Sequence, residues 1–507
     1  MYETGGIDMA VILSLDIGTT GLKTILVNES GDIVKSYNKE YGMIQKYSGN
    51  AEQHPSVWWN AVVESFQKVL DSKIKREVCA VGVSGQFQSL IMLDKSYNPL
   101  QNAILWCDQR GERFLPEITE KIGKEKLVSI TANPALPGSG ISNMLWVKEK
   151  RPEIFEKCCH IMLPHEYIRL KLTGECVTDV TSASSMQLLN VPARKWSEEL
   201  FDRFDLDRKL VGKLCESIEI VGETTKEVEL LTGLPEGIPV VAGGGDSVIS
   251  SIGTGVIREG GCFTSVGTSG IICTNTSTVR IDTKGRVNTY CSAIPGMWSV
   301  ITCSITAGFA LKWLKNNFCL EENNIALNEN KDVYDVMGEM AEKVSLGAGG
   351  LIFLPYLMGD RTPHLNADAK GVFFGITSRH ERADFIRAVM EGVAYSLKEG
   401  IQVFEELGIR LEDFILCGGG AKGKVWRKII ADMYGSNVFS VQNDSGSAIG
   451  AAILAACGKG IYSNLDEATE RMIKREKEDA FSEENHKKYM KNLDKYQEIY
   501  KQLERLF

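Results

Sequence analysis

Short apolar runs rich in β-branched residues recur at Val11 to Ile17, Lys23 to Val27, Ile33 to Tyr41 and Val78 to Val83. The pattern returns at Ile238 to Ala242, Cys262 to Val266 and Phe414 to Cys417. Such runs, bounded by glycine, predict buried strands. Between them the period changes. Pro55 to Leu70 carries Trp58, Val62, Phe66 and Val69 three to four residues apart, which predicts a helix with one buried face. Asp384 to Leu407 predicts one long helix stopped by Gly408. Lys424 to Tyr434 and Ser447 to Cys457 predict two more. Strands alternating with helices place the chain in the α/β class. From Glu483 a charged helix is predicted, with a stripe at Tyr489, Leu493, Tyr496, Tyr500, Leu503 and Phe507. The 4-3-4-3-4 spacing suits a coiled-coil seam, but it covers under three heptads and points instead to packing on its own domain.

The 49 glycines sharpen this picture, because they gather where strands end. The gatherings are Gly18 to Gly21, Gly243 to Gly245, Gly267 to Gly270 and Gly418 to Gly420. Two of these loops align: Asp16-Ile-Gly-Thr-Thr-Gly21 and Ser265-Val-Gly-Thr-Ser-Gly270. Their first glycines are 249 residues apart, about half of the 507-residue chain, which predicts an internal duplication. A triple glycine follows each loop, after 225 residues in the first half and 151 in the second. The first half is thus 74 residues longer, and residues 105–200 are the expected place of the extra material. Gly253-Thr254-Gly255 is the expected junction, dividing the chain into 10–254 and 255–507.

Composition narrows the function. Fifty-seven basic residues against 66 acidic ones give a net charge of −9, which leaves no electrostatic footprint for nucleic acid or an anionic membrane. No apolar run approaches the ~18 residues of a membrane span. Met1 to Met9 contains Glu3 and Asp8 and reads as a start-site extension, not a secretory signal. The 13 cysteines are scattered, with no CxxC and no zinc spacing. They read as reduced thiols of a cytoplasmic protein.

The loops suggest the chemistry. Glycine loops after strands expose N–H groups that cradle phosphates. Thr19, Thr20 and Lys23 can add donors to the first loop at Gly18, and Thr268 and Ser269 to the second at Gly267. Each threonine also suits an ordinary turn. A carboxylate beside a phosphate loop is electrostatically unfavourable unless a cation stands between them. Asp16, aligned with Ser265, therefore reads as a magnesium ligand, or else as a polar strand end. Asp246 follows Gly243-Gly-Gly and reads either as a general base for a hydroxyl or as a helix N-cap for Ser247 to Ile252. Gly418-Gly-Gly-Ala-Lys-Gly-Lys424 fits GxGxxG with Asp444 downstream, and also GxxxxGK. Val425 stands where a P-loop needs a hydroxyl, and the segment lies near the chain's end, so a platform for adenosine at Gly418, Gly419, Gly420 and Ala421 suits it better.

Taken together, these residues resemble the FGGY carbohydrate kinases, a branch of the actin-like ATPases, over about residues 10–500. The two GT[TS]G loops resemble that family's phosphate motifs, Gly418 to Ala421 its adenosine motif, and Asp246 its catalytic aspartate. Gly371-Val-Phe-Phe-Gly-Ile376 through Asp384 to Glu391 resembles a family signature. Ala51-Glu-Gln-His-Pro55 with Trp58-Trp59, Trp106 with Asp108 and Arg110, and Leu354-Pro-Tyr to His364 resemble the xylulokinase branch.

The resemblance implies two actin-like, ribonuclease H-like domains with a cleft between them. ATP would lie mainly on the second domain and sugar on the first, with magnesium on Asp16. It implies a sugar pocket at Gln86, Phe87, Gln88, Trp106, Asp108, Arg110, Asp246 and Ser247. It implies phosphorylation of a small sugar, a ketopentose such as xylulose, and leaves room for a homodimer. Some positions depart from the xylulokinase pattern: Phe87-Gln88 replaces Met-His, Ser247 replaces Asn, Cys107 replaces Asn and Asn143 replaces Lys. These changes predict that D-xylulose is not the best substrate and that another small ketose or polyol is preferred. Ribulose, erythritol or erythrulose, gluconate and glycerol are the alternatives. The rivals from other classes are an ATP-driven chaperone of the same superfamily and an NAD-dependent dehydrogenase. Asp246 argues against the first, and the paired loops against the second.

Overall fold

The computed structural model describes residues 10–442 and 446–507, and of Lys477 and Glu478 the backbone. Met1 to Met9 and Asp444 lie outside the described residues.

Two seven-stranded sheets carry the chain. The first sheet runs Ile220–Glu223, Pro239–Val241, Val78–Gly85, Val11–Ile17, Gly21–Asn28, Ile33–Glu40, with the short strand Gly244–Gly245 also on Val78–Gly85. The second runs Asn288–Cys291, Trp298–Ser304, Gly270–Thr276, Gly261–Val266, Asp413–Cys417, Val438–Val441, Arg475–Asp479. Each sheet carries an antiparallel meander of three strands, interrupted in the second by the edge strand Asn288–Cys291, which precedes Trp298–Ser304 in the chain. In each, the first strand of the meander then pairs in parallel with a strand from later in the chain. The duplication inferred from the glycine loops therefore holds for six strands of each sheet, Gly244–Gly245 and Asn288–Cys291 having no counterpart. The first strand is sealed because Ile12, Leu13, Leu15 and Ile17 are wholly buried, as a strand covered on both faces requires.

The helices follow their apolar periods. Pro55–Val69 buries Trp58, Val62, Phe66 and Val69, and His54 caps its start by accepting from the Ser56 N–H. The long helix is Arg382–Glu406, opened by a capping box between Glu381 and Asp384. The extra material of the first half is helical, with Leu115–Ile122, Lys124–Thr131 and Gly140–Lys150 among its elements. The C-terminal helix Glu483–Leu503 buries Tyr489, Leu493, Tyr496 and Tyr500 against its own domain, where Tyr496 meets the Tyr356 hydroxyl at 2.8 Å. Among the described residues no helix is long and apolar enough to cross a membrane.

One helix departs from sequence order. Gly446–Lys459 lies in the second half of the chain but packs on the first sheet and on helix Asp246–Gly253. The Ser14 hydroxyl donates to Ala448 O at 2.7 Å. Glycines permit the close approach: a Cβ at Gly82 would stand 2.2 Å from Ala451 O, and one at Gly253 1.8 Å from Gly446 O. Ala448 to Ala456 is apolar except for Gly450 and wholly buried, so the helix needs cover on all sides.

Candidate functional site

Register builds the first half of the site. Asp16 pairs with Ser84 on one side and Lys23 on the other, and Gly244 pairs with the same Ser84. Asp16 and the Gly244–Gly245 strand therefore flank one strand at the same level, at its C-terminal end. Helix Asp246–Gly253 starts there, so Asp246 points from a helix N-terminus at the end of a sheet, where α/β folds hold ligands.

Each glycine of the triplet has its own steric reason. Gly243 has φ +68° and lies against Val83 O, 1.8 Å from where its Cβ would stand. A Cβ at Gly244 would stand 2.5 Å from Thr181 Oγ1, and one at Gly245 would stand 1.9 Å from the Phe87 ring.

The two acids are electrostatically strained. Burial pushes the Asp246 carboxyl up to about 7, and the nearby Asp16 charge adds to the rise. Ser247 opposes it, donating to Asp246 Oδ1 from its N–H at 2.6 Å and its hydroxyl at 3.0 Å. Burial also raises Asp16, against a hydrogen bond from the Ser447 hydroxyl at 2.6 Å and the charge of Lys23. Asp16 Oδ1 is sealed from solvent and has no hydrogen-bond partner. A buried, raised carboxyl with an orphaned oxygen at Asp16 fits a divalent cation, which would relieve it.

The sugar-side candidates fall into two groups. Phe87 is seated on Gly245 and meets Tyr290 edge-on, ring centroids 5.0 Å apart. Gln88 has φ +61° and donates to the Tyr290 hydroxyl at 3.4 Å. Trp106 is exposed, and its indole donates to Thr19 Oγ1 at 3.0 Å. Thr19 in turn donates to Gln86, whose amide donates to Gln53. These side chains join the first glycine loop to Trp106, Gln86 and Gln53. Asp108 is otherwise engaged. It accepts from Ala51 N–H at 2.6 Å and from Arg110 Nε at 2.8 Å, while Arg110 also pairs with Glu52 at 2.8 Å. This pair locks the loop that presents Trp106.

The second loop faces a different space. A cavity of about 690 Å³ is lined by Gly267, Thr268, Lys312, Gly419, Gly420 and Lys424, among others. Its size suits a small organic ligand. Gly308 opens helix Gly308–Phe318, and its N–H donates to Gly267 O at 2.8 Å. Gly418, with φ +82°, turns the chain against Val266, while Ala421 is buried beneath. Among the described residues lining this cavity, neither Asp16 nor Asp246 appears.

Sequence reasoning missed Ser447 and Tyr290, which reach Asp16 and Gln88 from far along the chain. No local spacing announces either residue. Tyr41 was also missed as a site residue. Its hydroxyl donates to Gly18 O at 2.7 Å, and its aromatic place after the first hairpin was the available signal.

Residues 11–253 match the model of the FGGY family of carbohydrate kinases, N-terminal domain, and 262–458 that of the C-terminal domain. The chain is 33% identical to a xylulose kinase of Bacillus subtilis (strain 168), covering 97% of each. It is 31% identical to a gluconokinase of Bacillus licheniformis, covering 95% of this chain and 93% of that one. The crystal structure of ligand-bound xylulose kinase from Lactobacillus acidophilus superposes with a TM-score of 0.89 at 26% identity, covering 98% of both chains.

Proposed function

Because the chain belongs to the FGGY family of carbohydrate kinases, we propose that this kinase moves the γ-phosphoryl group of ATP to a hydroxyl of a small ketose, a ketopentose such as xylulose. The observation that carries the reading is Asp246: a carboxyl at the end of the first sheet, raised to about 7, at the start of a helix on a closely packed glycine turn. A base poised near neutrality accepts a proton efficiently as the hydroxyl attacks. The oxygen bonds to phosphorus, ADP departs, and the proton rests on Asp246.

In this reading the sugar lies against Trp106, Gln86, Phe87, Gln88 and Ser247 on the 10–254 unit. Asp108 and Arg110 hold the Trp106 loop in place. The nucleotide lies in the 690 Å³ cavity of the 255–507 unit, its phosphates toward Gly267, Thr268 and Ser269 and its adenosine on Gly418 to Ala421. Gly18, Thr19, Thr20 and Lys23 face the transferring group. Asp16 would hold magnesium, which supplies charge neutralisation for the phosphates. Between them, the two halves position the reactants and exclude water. The thirteen free cysteines support a reducing, cytoplasmic setting.

A second reading keeps the reaction and changes the sugar. Phe87 presents a rigid ring seated on Gly245, Gln88 is tied to Tyr290, and the Ser247 hydroxyl is turned to Asp246. This wall differs from a Met-His and Asn wall in both shape and donors, and a gluconokinase stands among the relatives. ADP release over ketoses, polyols and aldonates tests both readings through kcat/KM. A preference for D-xylulose above tenfold over every other sugar rejects the second. No ADP release with any of these sugars rejects the first.

A further inference from the structure

Beneath Asp246 lies a wholly buried polar cluster that the phosphoryl-transfer reading does not use. Asp179 is its hub. Asp179 Oδ1 accepts from the Ser182 N–H at 2.9 Å and the Thr181 hydroxyl at 2.5 Å. Its Oδ2 accepts from the Ser182 hydroxyl at 2.6 Å and from His165 Nε2 at 3.0 Å. Arg169 stands 3.9 Å away, held by Ala242 O and Val177 O. Burial opposes ionisation of Asp179, but the His165 bond, the charges of His165 and Arg169 and the Ser182 hydroxyl outweigh it and hold the carboxyl at about 2. Asp179 is therefore a fixed anion, and the nearby guanidinium makes the cluster a poor metal site.

The Thr181 hydroxyl has a single proton, and Asp179 takes it. Its lone pairs are thereby aimed the other way, onto the Gly245 N–H at 3.0 Å. That N–H belongs to the residue immediately before Asp246, where the helix begins with no side-chain cap. Gly244 leaves the room this contact needs, since a Cβ there would strike Thr181 Oγ1. Threonine at 181 is thus bonded on both sides, to an anion below and to the peptide that carries the carboxylate above.

We propose that Thr181, oriented by Asp179, is a positioning residue that aims Asp246 at the acceptor hydroxyl. The proposal rests on Asp246 being the general base. Thr181→Val keeps the shape and removes the acceptor, so the Gly245 N–H loses its partner and the Asp246 turn loosens. Misplacement of a catalytic group by about 1 Å costs roughly 10²-fold. The expected result is a fall in kcat of roughly 10- to 100-fold, with KM for ATP within twofold of the wild type. Thr181→Ser, which keeps the hydroxyl, restores most of the rate.

The decisive arm is the double variant. In an Asp246→Asn background, Thr181→Val costs less than twofold further, because the group it positions is already gone. If Thr181→Val loses equally in both backgrounds, or if it turns over within twofold of the wild type, the positioning role is overturned while the base reading stands. If Asp246→Asn alone keeps wild-type turnover, the base reading falls and this proposal with it. Should Thr181→Val fail to fold, Thr181→Cys carries the same expectation, since a thiol is a weak acceptor.

Discussion

The two glycine loops are alike in sequence and occupy equivalent places in two similar sheets, yet the structure gives them different neighbours. In the first, Ile17 pairs with Leu22 across the hairpin, and in the second Val266 pairs with Gly270, so the second loop is one residue shorter. The anchors differ as well. The first loop's carbonyls accept from Tyr41 and Gln53, and Thr19 accepts from Trp106, all within the first half of the chain. The second loop's Gly267 and Thr268 carbonyls accept from the N–H groups of Ala307, Gly308 and Phe309, at the entrance of a helix that lines the nucleotide-sized cavity. The acid differs too: Asp16 meets Ser447, and its charge raises the Asp246 carboxyl, whereas Ser265 lies beside Cys417 in the sheet. A duplicated motif therefore fixes a place at the end of a strand, while the length of the turn and the side chains packed around it differ.

The largest test of this asymmetry removes the base on the first side. Asp246→Asn is expected to lower sugar phosphorylation ~10²–10⁴-fold while the ATP dissociation constant, measured by calorimetry, stays within threefold. A rate loss under threefold removes Asp246 from the chemistry.

Next comes the acid that only one loop carries. Asp16→Ala is expected to lower kcat by at least ~10²-fold through lost metal positioning. The wild type should stop turning over when divalent ions are chelated. Equal, small losses in Asp16→Ala and Ser265→Ala would erase the distinction between the loops.

The pH profile gives an intermediate effect. The general base works deprotonated, and the Asp246 carboxyl is raised to about 7. Hence kcat/KM for the sugar should be flat above that value. Below it, the rate should fall about tenfold per pH unit as the carboxylate is protonated. A profile flat from pH 5.5 to 8 contradicts the assignment.

Two smaller effects sharpen the contrast. Ser265→Asp copies the first loop's acid into the second, where no metal role is assigned to it. An added like charge near the phosphates costs about 1 kcal/mol, roughly fivefold in ATP affinity, when solvent screens it. Thr19→Val cuts the Trp106 indole bond on the sugar side. It should raise the sugar KM roughly two- to fivefold, about the worth of one neutral hydrogen bond.

Much of this was written in local pattern. The apolar periods of Pro55–Val69 and Arg382–Glu406 reported helices because a buried stripe must recur every three to four residues. The glycine loops reported strand ends, the duplication and the acid asymmetry, because a backbone that approaches a neighbour or a ligand closely cannot carry a side chain. The C-terminal stripe reported its own burial, and its shortness correctly pointed to packing within the domain.

What the sequence left undetermined is who meets whom across long separations. Ser447 reaches Asp16 only because helix Gly446–Lys459 crosses onto the first sheet. Tyr290 reaches Phe87 and Gln88 only because strand Asn288–Cys291 packs against the first half, where Asn133 holds Thr289 at 2.7 and 2.9 Å. Asp108 looked like a pocket residue beside Trp106, and folding commits it to Arg110 and Ala51. Asp179 and Thr181 looked like ordinary polar residues, and folding sets them under Gly245. Spacing along a chain encodes neighbours on one helix face or one strand, at the periods of those elements. Contacts between segments separated by tens to hundreds of residues depend on how whole faces pack, and no local period records that.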